Sequence, residues 1–196
     1  MFHSIPPRMI DRMRTLEALD AEQRREQAPR LERLCQVPAE TGRFLALTAA
    51  AAPPGGIVEV GTSGGYSTLW FSLAAAATGR SIRTYERLPH KVEIARETFA
   101  LAGVEDRVEL IEGDALDGLA GERDVGFCFL DGEKGEYARA YELALETLVP
   151  GGLLVADNVT SHRTILEPFV EAVLRDERVD AVSLPIGKGE LVCRKR

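Results

Sequence analysis

The residues best suited to chemistry fall at two places late in the chain, "FLDGEKGEY" (129–137) and "VADNV" (155–159). Each is an apolar run that turns polar at once. One closes on Asp131, with Lys134 three positions on; the other closes on Asp157 and Asn158. If both runs are neighbouring parallel strands, their ends lie about 5 Å apart, and three oxygen-bearing side chains converge at one edge of a sheet. Two carboxylates buried together cost free energy unless a positive group lies between them. Oxygen donors with no His or Cys beside them suit Mg2+, Mn2+ or Ca2+ rather than zinc. The alternative is that Asp157 and Asn158 only cap or turn the chain.

Three other strand ends carry candidates. "VEVGTSGGYS" (58–67) offers glycines at 61, 64 and 65, which let backbone approach a ligand, followed by the free N–H groups of a helix start. Its spacing is neither the dinucleotide G-x-G-x-x-G nor a phosphate loop. Glu59, just before the turn, repels a pyrophosphate but suits a cationic ligand. Glu86 ends "RTYE" 25 residues after Gly61, where a carboxylate accepts from both ribose hydroxyls. "EGDA" (112–115) places Asp114 either as a helix cap or beside an adenine amine. The set favours a nucleoside-containing ligand.

The elements that must position these residues follow from periodicity. Residues 8–27 read as an amphipathic helix, a shorter helical piece follows Pro29 to about Val37, and a further helix spans 39–51. Strands are expected at 57–60, 81–86, 107–114, 124–131 and 152–158, separated by helices at 66–77, 89–103 and 136–152. Pro89 suits a first turn and Gly103 a C-terminal cap. A helix at about 163–175 precedes a closing hairpin. This alternation predicts an α/β fold: a doubly wound, Rossmann-like, mostly parallel seven-stranded sheet with a C-terminal antiparallel hairpin and an N-terminal helical extension. One domain is expected over 1–196, with helices in 1–52 and a cofactor-binding core in 53–196. In such folds ligands bind beyond the carboxyl ends of the strands.

Composition narrows the function class. The chain has 196 residues, 45% hydrophobic and 28% charged, which is ordinary for a globular protein. A net charge of -7 argues against nucleic acid. Cys35, Cys128 and Cys193 lack metal-ligand spacing and fit a reducing cytoplasm. No signal peptide is expected, and the longest weakly polar run is broken by "PPGG", so no membrane span is expected either.

Taken together, "VEVGTSGGYST", Glu86, "FLDGEKGEY" and "ADNV" resemble the class I S-adenosylmethionine-dependent methyltransferases. More narrowly, they resemble the metal-dependent O-methyltransferases of the catechol and caffeoyl-CoA type, over roughly residues 36–196. The resemblance implies methyl transfer to a hydroxyl of a small, aromatic vicinal diol, with S-adenosylmethionine as donor. It implies a divalent cation, Mg2+ foremost, on Asp131, Asp157 and Asn158, with Lys134 as the base and Tyr137 packing nearby. Cofactor contacts are implied for Glu59, Gly61, Ser63, Tyr66 and Ser67 around the glycine loop. Further contacts are implied for Glu86, Gly113, Asp114, Ala115 and Asp131 at the other strand ends, and for Val37 in a backbone strap over the cofactor. Gly132 and Glu133 stand where relatives often carry an aromatic residue or alanine, and "VTSHRTILEPF" lacks an evident aromatic gate, so the acceptor pocket is expected to differ. His162 either lines that pocket or is an ordinary loop residue. A homodimer is expected. The competing readings are a metal-free methyltransferase, an NAD-dependent oxidoreductase and a silent cofactor-binding protein.

Overall fold

A computed structural model describes all residues, 1–196. Its frame is one seven-stranded sheet: β1 (Gly56–Val60), β2 (Ile82–Glu86), β3 (Val108–Glu112), β4 (Val125–Leu130), β5 (Leu148–Ala156), β6 (Val179–Leu184) and β7 (Glu190–Lys195), in the order β3-β2-β1-β4-β5-β7-β6. Strands β1 to β5 run parallel; β7 inserts antiparallel between β5 and β6. The helices are α1 (Pro7–Arg25), α2 (Ala39–Ala51), α3 (Tyr66–Thr78), α4 (Pro89–Ala102), α5 (Ala115–Leu119), α6 (Tyr137–Thr147) and α7 (Arg163–Leu174). The predicted sheet, hairpin and helical extension are all present, and Gly103 ends α4 with φ of 63°.

Both faces of the sheet are covered, which is why β4 is buried along its whole length. Alternate β4 residues serve opposite cores. Phe127 and Phe129 pack with α1 to α4, while Cys128 and Leu130 pack with α5, α6 and α7. Met9, Met13, Leu16 and Leu45 of the N-terminal helices share the first of these cores with Ile57 and Phe71. Chain order runs outward from β1 in one direction and from β4 in the other, so a crevice opens between their ends.

Two expectations about elements are corrected. Residues 29–37 form turns and extended backbone rather than a helical piece. Pro29 and Pro38 bracket the segment, Cys35 takes φ of 54°, and its peptide groups are engaged elsewhere: Leu34 N–H donates to Gln23 Oε1 at 2.8 Å, and Leu34 O accepts from Ser63 Oγ at 2.7 Å. Likewise α6 stops at Thr147 and "LVPGG" already belongs to β5. The β4/β5 register slips between Val125 and Phe127, and Gly151, at φ of 78°, supplies the bend that lets Pro150 pass through the strand without a ladder donor.

Candidate active site

The crevice is shaped first by backbone. Gly61 leaves β1 with φ of 98°, and a Cβ there would lie 2.6 Å from the carbonyl oxygen of Asp131. Only glycine lets the loop pass so close to the end of β4. Gly65 then caps α3 at φ of 86°. Glu86 ends β2 with Oε2 accepting from Ser63 N–H at 2.8 Å and Oε1 from Leu88 N–H at 2.9 Å. Beneath the loop, fully buried Glu59 accepts from Ser67, from Thr68 Oγ1 at 2.5 Å and from Thr84 Oγ1 at 2.6 Å. Burial still outweighs those three donors and pushes its carboxyl up to about 7.

Strand register builds the second half. Leu130 pairs with Ala156, so Asp131 and Asp157 follow side by side, with Asp157 N–H donating to Leu130 O at 3.0 Å. On the far side Ala156 pairs with Leu191, which sets Glu190 next to Asp157. Lys134 Nζ donates to Asp131 Oδ1 at 2.8 Å, to Gly132 O at 3.1 Å and to Tyr137 Oη at 3.0 Å. The Tyr137 hydroxyl lies 3.1 Å from the carbonyls of both Leu130 and Asp157, so it ties the two strand ends together beneath the lysine. Asn158 carries φ of 71°, an uncommon conformation outside glycine, and its N–H donates to Asp157 Oδ1 at 2.5 Å.

The polar atoms here are not all satisfied. Asp157 Oδ2, Asn158 Nδ2 and both Glu190 oxygens are buried without a hydrogen-bond partner. Burial raises both acids above the usual carboxylate range, helped by the Asp131 charge at Asp157 and by the Asp157 charge at Glu190, so the pair favours keeping a proton. No group of three or more His, Cys, Asp or Glu is placed to hold a metal ion; the donors are two carboxylates and one amide. An orphaned carboxylate oxygen and an all-oxygen donor set fit a hard divalent cation.

These halves meet in one cleft of about 460 Å³. Gly61, Ser63, Glu86, Gly113, Asp114, Ala115, Asp131, Lys134, Asn158 and His162 stand on its wall. Gly113 takes φ of 151°, and a Cβ there would meet nothing within 4 Å, so that wall is open to a ligand. Asp114 caps α5, accepting from Leu116 N–H at 2.9 Å, and it also lines the cleft. Burial and the nearby cations Lys134, Arg30 and Lys188 hold the His162 imidazole below its ordinary value.

Five sequence candidates stand behind the wall, among them Asp157, fully buried beside Asp131. Glu59 and Ser67 lie under the loop. Tyr66 turns its hydroxyl to Glu17 of α1 at 2.5 Å and packs edge-on against Trp70. Val37 is buried in the core shared with α1 to α4. Arg30, Leu31, Arg33, Leu34 and Cys35 of the strap line the cleft instead, pinned by Ser63 Oγ on Leu34 O and Lys188 Nζ on Gln36 O at 3.1 Å.

Three further acids around the site, Glu133, Glu136 and Glu190, are given no role by spacing along the chain. Glu133 and Glu136 face the strap and β2 rather than open solvent: Glu133 pairs with Arg30 at 3.1 Å and Arg87 at 3.9 Å, and Glu136 with Arg87 at 3.3 Å. Glu190 is brought in by antiparallel register, which spacing along the chain does not encode.

Comparison with known proteins gives the family. A catechol O-methyltransferase of Mycobacterium tuberculosis is 37% identical over 134 residues, covering 66% of this chain and 60% of the relative. A catechol O-methyltransferase of Niastella koreensis is 34% identical over 144 residues, covering 68% and 65%. The chain therefore spans less than two thirds of the length of these two curated relatives. The crystal structure of an O-methyltransferase from Bacillus cereus in complex with SAH superposes with a TM-score of 0.79 at 26% identity, covering 95% of this chain and 91% of that one. No helix is long and apolar enough to cross a membrane. The family model described as O-methyltransferase matches residues 12–196, and with the strand ends arranged as above, the chain belongs to the O-methyltransferase family.

Proposed function

We propose that the chain transfers a methyl group from S-adenosylmethionine to a hydroxyl of a small catechol-like or other vicinal-diol acceptor, assisted by a divalent cation. The observation that carries this is the meeting, in one cleft, of a nucleoside end (Glu86, Gly113, Asp114, Ala115) with Asp131, Lys134 and Asn158, directly behind which Asp157 lies buried. The SAH complex of the Bacillus cereus relative and the catechol activity named for two others support the same reading.

The cofactor supplies a methyl group already activated on a sulfonium, and a divalent cation, when bound, favours the ionised form of a hydroxyl beside it. The remaining work belongs to the chain. Glu86, pre-set by two backbone N–H groups, accepts from ribose hydroxyls, and Asp114 faces the adenine. Gly61 and Ser63 hold the loop against the methionine portion, and Glu59, behind them, contributes negative potential toward a cationic ligand. Asp131, Asp157 and Asn158 hold the cation. In its neutral amine form Lys134 takes the acceptor's proton at Nζ and becomes the ammonium, which Asp131, Gly132 O and Tyr137 hold in place. Orientation of donor and acceptor provides the rest. We read residues 1–196 as one domain, cytoplasmic and homodimeric; the helices before 52 share a core with the sheet, and all three cysteines are free.

Calorimetry with S-adenosylhomocysteine and NAD, followed by methyl-transfer assays on catechols, hydroxycinnamoyl esters and flavonoids with Mg2+, Mn2+, Ca2+ or EDTA, tests the proposal. Binding of S-adenosylhomocysteine but not NAD, and turnover lost in EDTA and in Asp157→Ala, are expected. Tight NAD binding alone sinks the reading. Turnover surviving both EDTA and Asp157→Ala points instead to a metal-free methyltransferase.

A further inference from the structure

The cleft carries positive charge that the proposed reaction does not use. The chain has a net charge of -7, yet seven basic side chains stand on the cleft wall against five acidic ones. Most of these cations are spoken for: Arg24 pairs with Asp20, Lys134 with Asp131, and Arg30 and Arg87 with Glu133 and Glu136. Lys91, at the Glu86 end, belongs to the nucleoside half. That leaves Arg33 and Lys188, neither of which makes an ion pair.

Their surroundings make a solvated rim an incomplete account. Arg33 is half-buried, and its Nε is buried with no hydrogen-bond partner, an arrangement that costs free energy unless something fills it. Lys188 is fixed rather than loose: its Nζ donates to Gln36 O at 3.1 Å and Cys35 O at 3.4 Å, which holds it against the same strap that carries Arg33. The loop after Asn158 closes on this lysine too, with Thr160 N–H and Ser161 N–H donating to Lys188 O at 3.1 and 3.0 Å. The ammonium therefore stands beside the Asp131/Asn158 end of the cleft, where the acceptor would sit.

Resting on the reading of this cleft as an O-methyl-transfer site, we propose that the acceptor carries its own carboxylate, engaged by Arg33 and Lys188 when its diol lies at Asp131 and Asn158. An arginine fork on the strap and an ammonium fixed against it from the β6–β7 turn supply the donors of a charge-assisted site for such a group. The acceptor class is then an aromatic vicinal diol bearing an acid, in preference to a neutral catechol.

The test titrates 3,4-dihydroxybenzoate and its uncharged methyl ester into the protein saturated with S-adenosylhomocysteine and Mg2+. The acid is expected to bind about tenfold tighter than the ester. Arg33→Gln is expected to bring the ratio close to unity, and Arg33→Lys to recover part of it; Lys188→Gln is the second variant should Arg33→Gln fold poorly. Equal binding of acid and ester by the unmodified protein overturns the proposal, as does a ratio that survives both Arg33→Gln and Lys188→Gln. A loss of S-adenosylhomocysteine affinity in Arg33→Gln larger than the loss for the acid also overturns it, because the cations would then serve the cofactor's own carboxylate. Methyl transfer, read in parallel, keeps the two ideas apart. Turnover of acid and ester alike with equal affinities leaves methyl transfer standing and removes the acid subsite. A tightly bound acid that is never methylated supports the subsite and removes the methyl-transfer reading.

Discussion

At the scale of single residues, the site turns on which polar atoms are satisfied and which are left waiting. Lys134 has three acceptors around Nζ, all supplied within a stretch of seven residues, so its position is over-determined. Lys134→Met is expected to lower kcat by about 10²- to 10⁴-fold, the usual contribution of a positioned base. Its dissociation constant for S-adenosylhomocysteine should move by less than about threefold, because the interaction lost belongs to the chemical step. Steady-state kinetics and calorimetry read the two quantities, and an equal loss in both would assign Lys134 to binding instead. Tyr137→Phe removes the hydroxyl that lies between Leu130 O, Asp157 O and Lys134 Nζ. Urea unfolding is expected to register a loss of about 1–3 kcal/mol, the cost of leaving buried partners unmatched.

At the scale of elements, the β1–α3 turn and the end of β4 are built against each other. Gly61→Ala places a Cβ 2.6 Å from Asp131 O at a φ of 98°, where alanine is strained in any case. The expected cost is at least about 2 kcal/mol, with Asp131 displaced as the strands separate. Denaturant unfolding measures the first effect and loss of metal-stimulated turnover the second; an alanine variant as stable as the parent would contradict the close approach. The strap is the opposite case. Residues 30–36 have no regular structure, and they hold their place through Ser63, Lys188, Glu133 and the His90 contact to Leu31 O at 3.1 Å. Nothing in the local pattern of "RLERLCQ" favours extended backbone over helix, so a helical expectation there fails for a tertiary reason.

At the scale of the whole molecule, three buried acids share the sheet's upper edge. Burial raises Glu59 to about 7; burial and the Asp131 charge raise Asp157 to about 6, and burial and the Asp157 charge raise Glu190. A carboxyl whose folded pKa exceeds its unfolded value contributes stability that is fully present below the unfolded pKa, and that contribution is lost as pH rises through the folded pKa. His162, held below its ordinary value, works in the other direction but is a single, partly solvated group. In EDTA the melting temperature is therefore expected to fall between pH 5.5 and 8.5, and Glu59→Gln should flatten part of that slope. Added Mg2+ is expected to raise the melting temperature more at pH 8.5 than at pH 5.5, because ionised acids bind the cation and protonated ones do not. A melting temperature that climbs with pH in EDTA would contradict the raised acids.

What the sequence determined by itself was the alternation of strands and helices, and the residues that end each strand. Apolar runs such as "VGFCFL" and "GLLVA" declare buried strands, and acids directly after them fall at the carboxyl edge of the sheet. Asp131, Asp157, Asn158, Glu86 and Asp114 were legible for that reason, since parallel strands bring their carboxyl ends together whatever the loops do. The tertiary structure alone decided which side chains face the cleft. Tyr66 turns to α1, Val37 enters the core, and Glu59 and Ser67 sit behind the loop, because helix phase and packing, not spacing, orient them. It also decided the contributions from distant sequence. Glu190 arrives by antiparallel register, and Arg33 and Lys188, 155 residues apart, line one cleft because Lys188 reaches the strap, whose conformation local propensity does not encode.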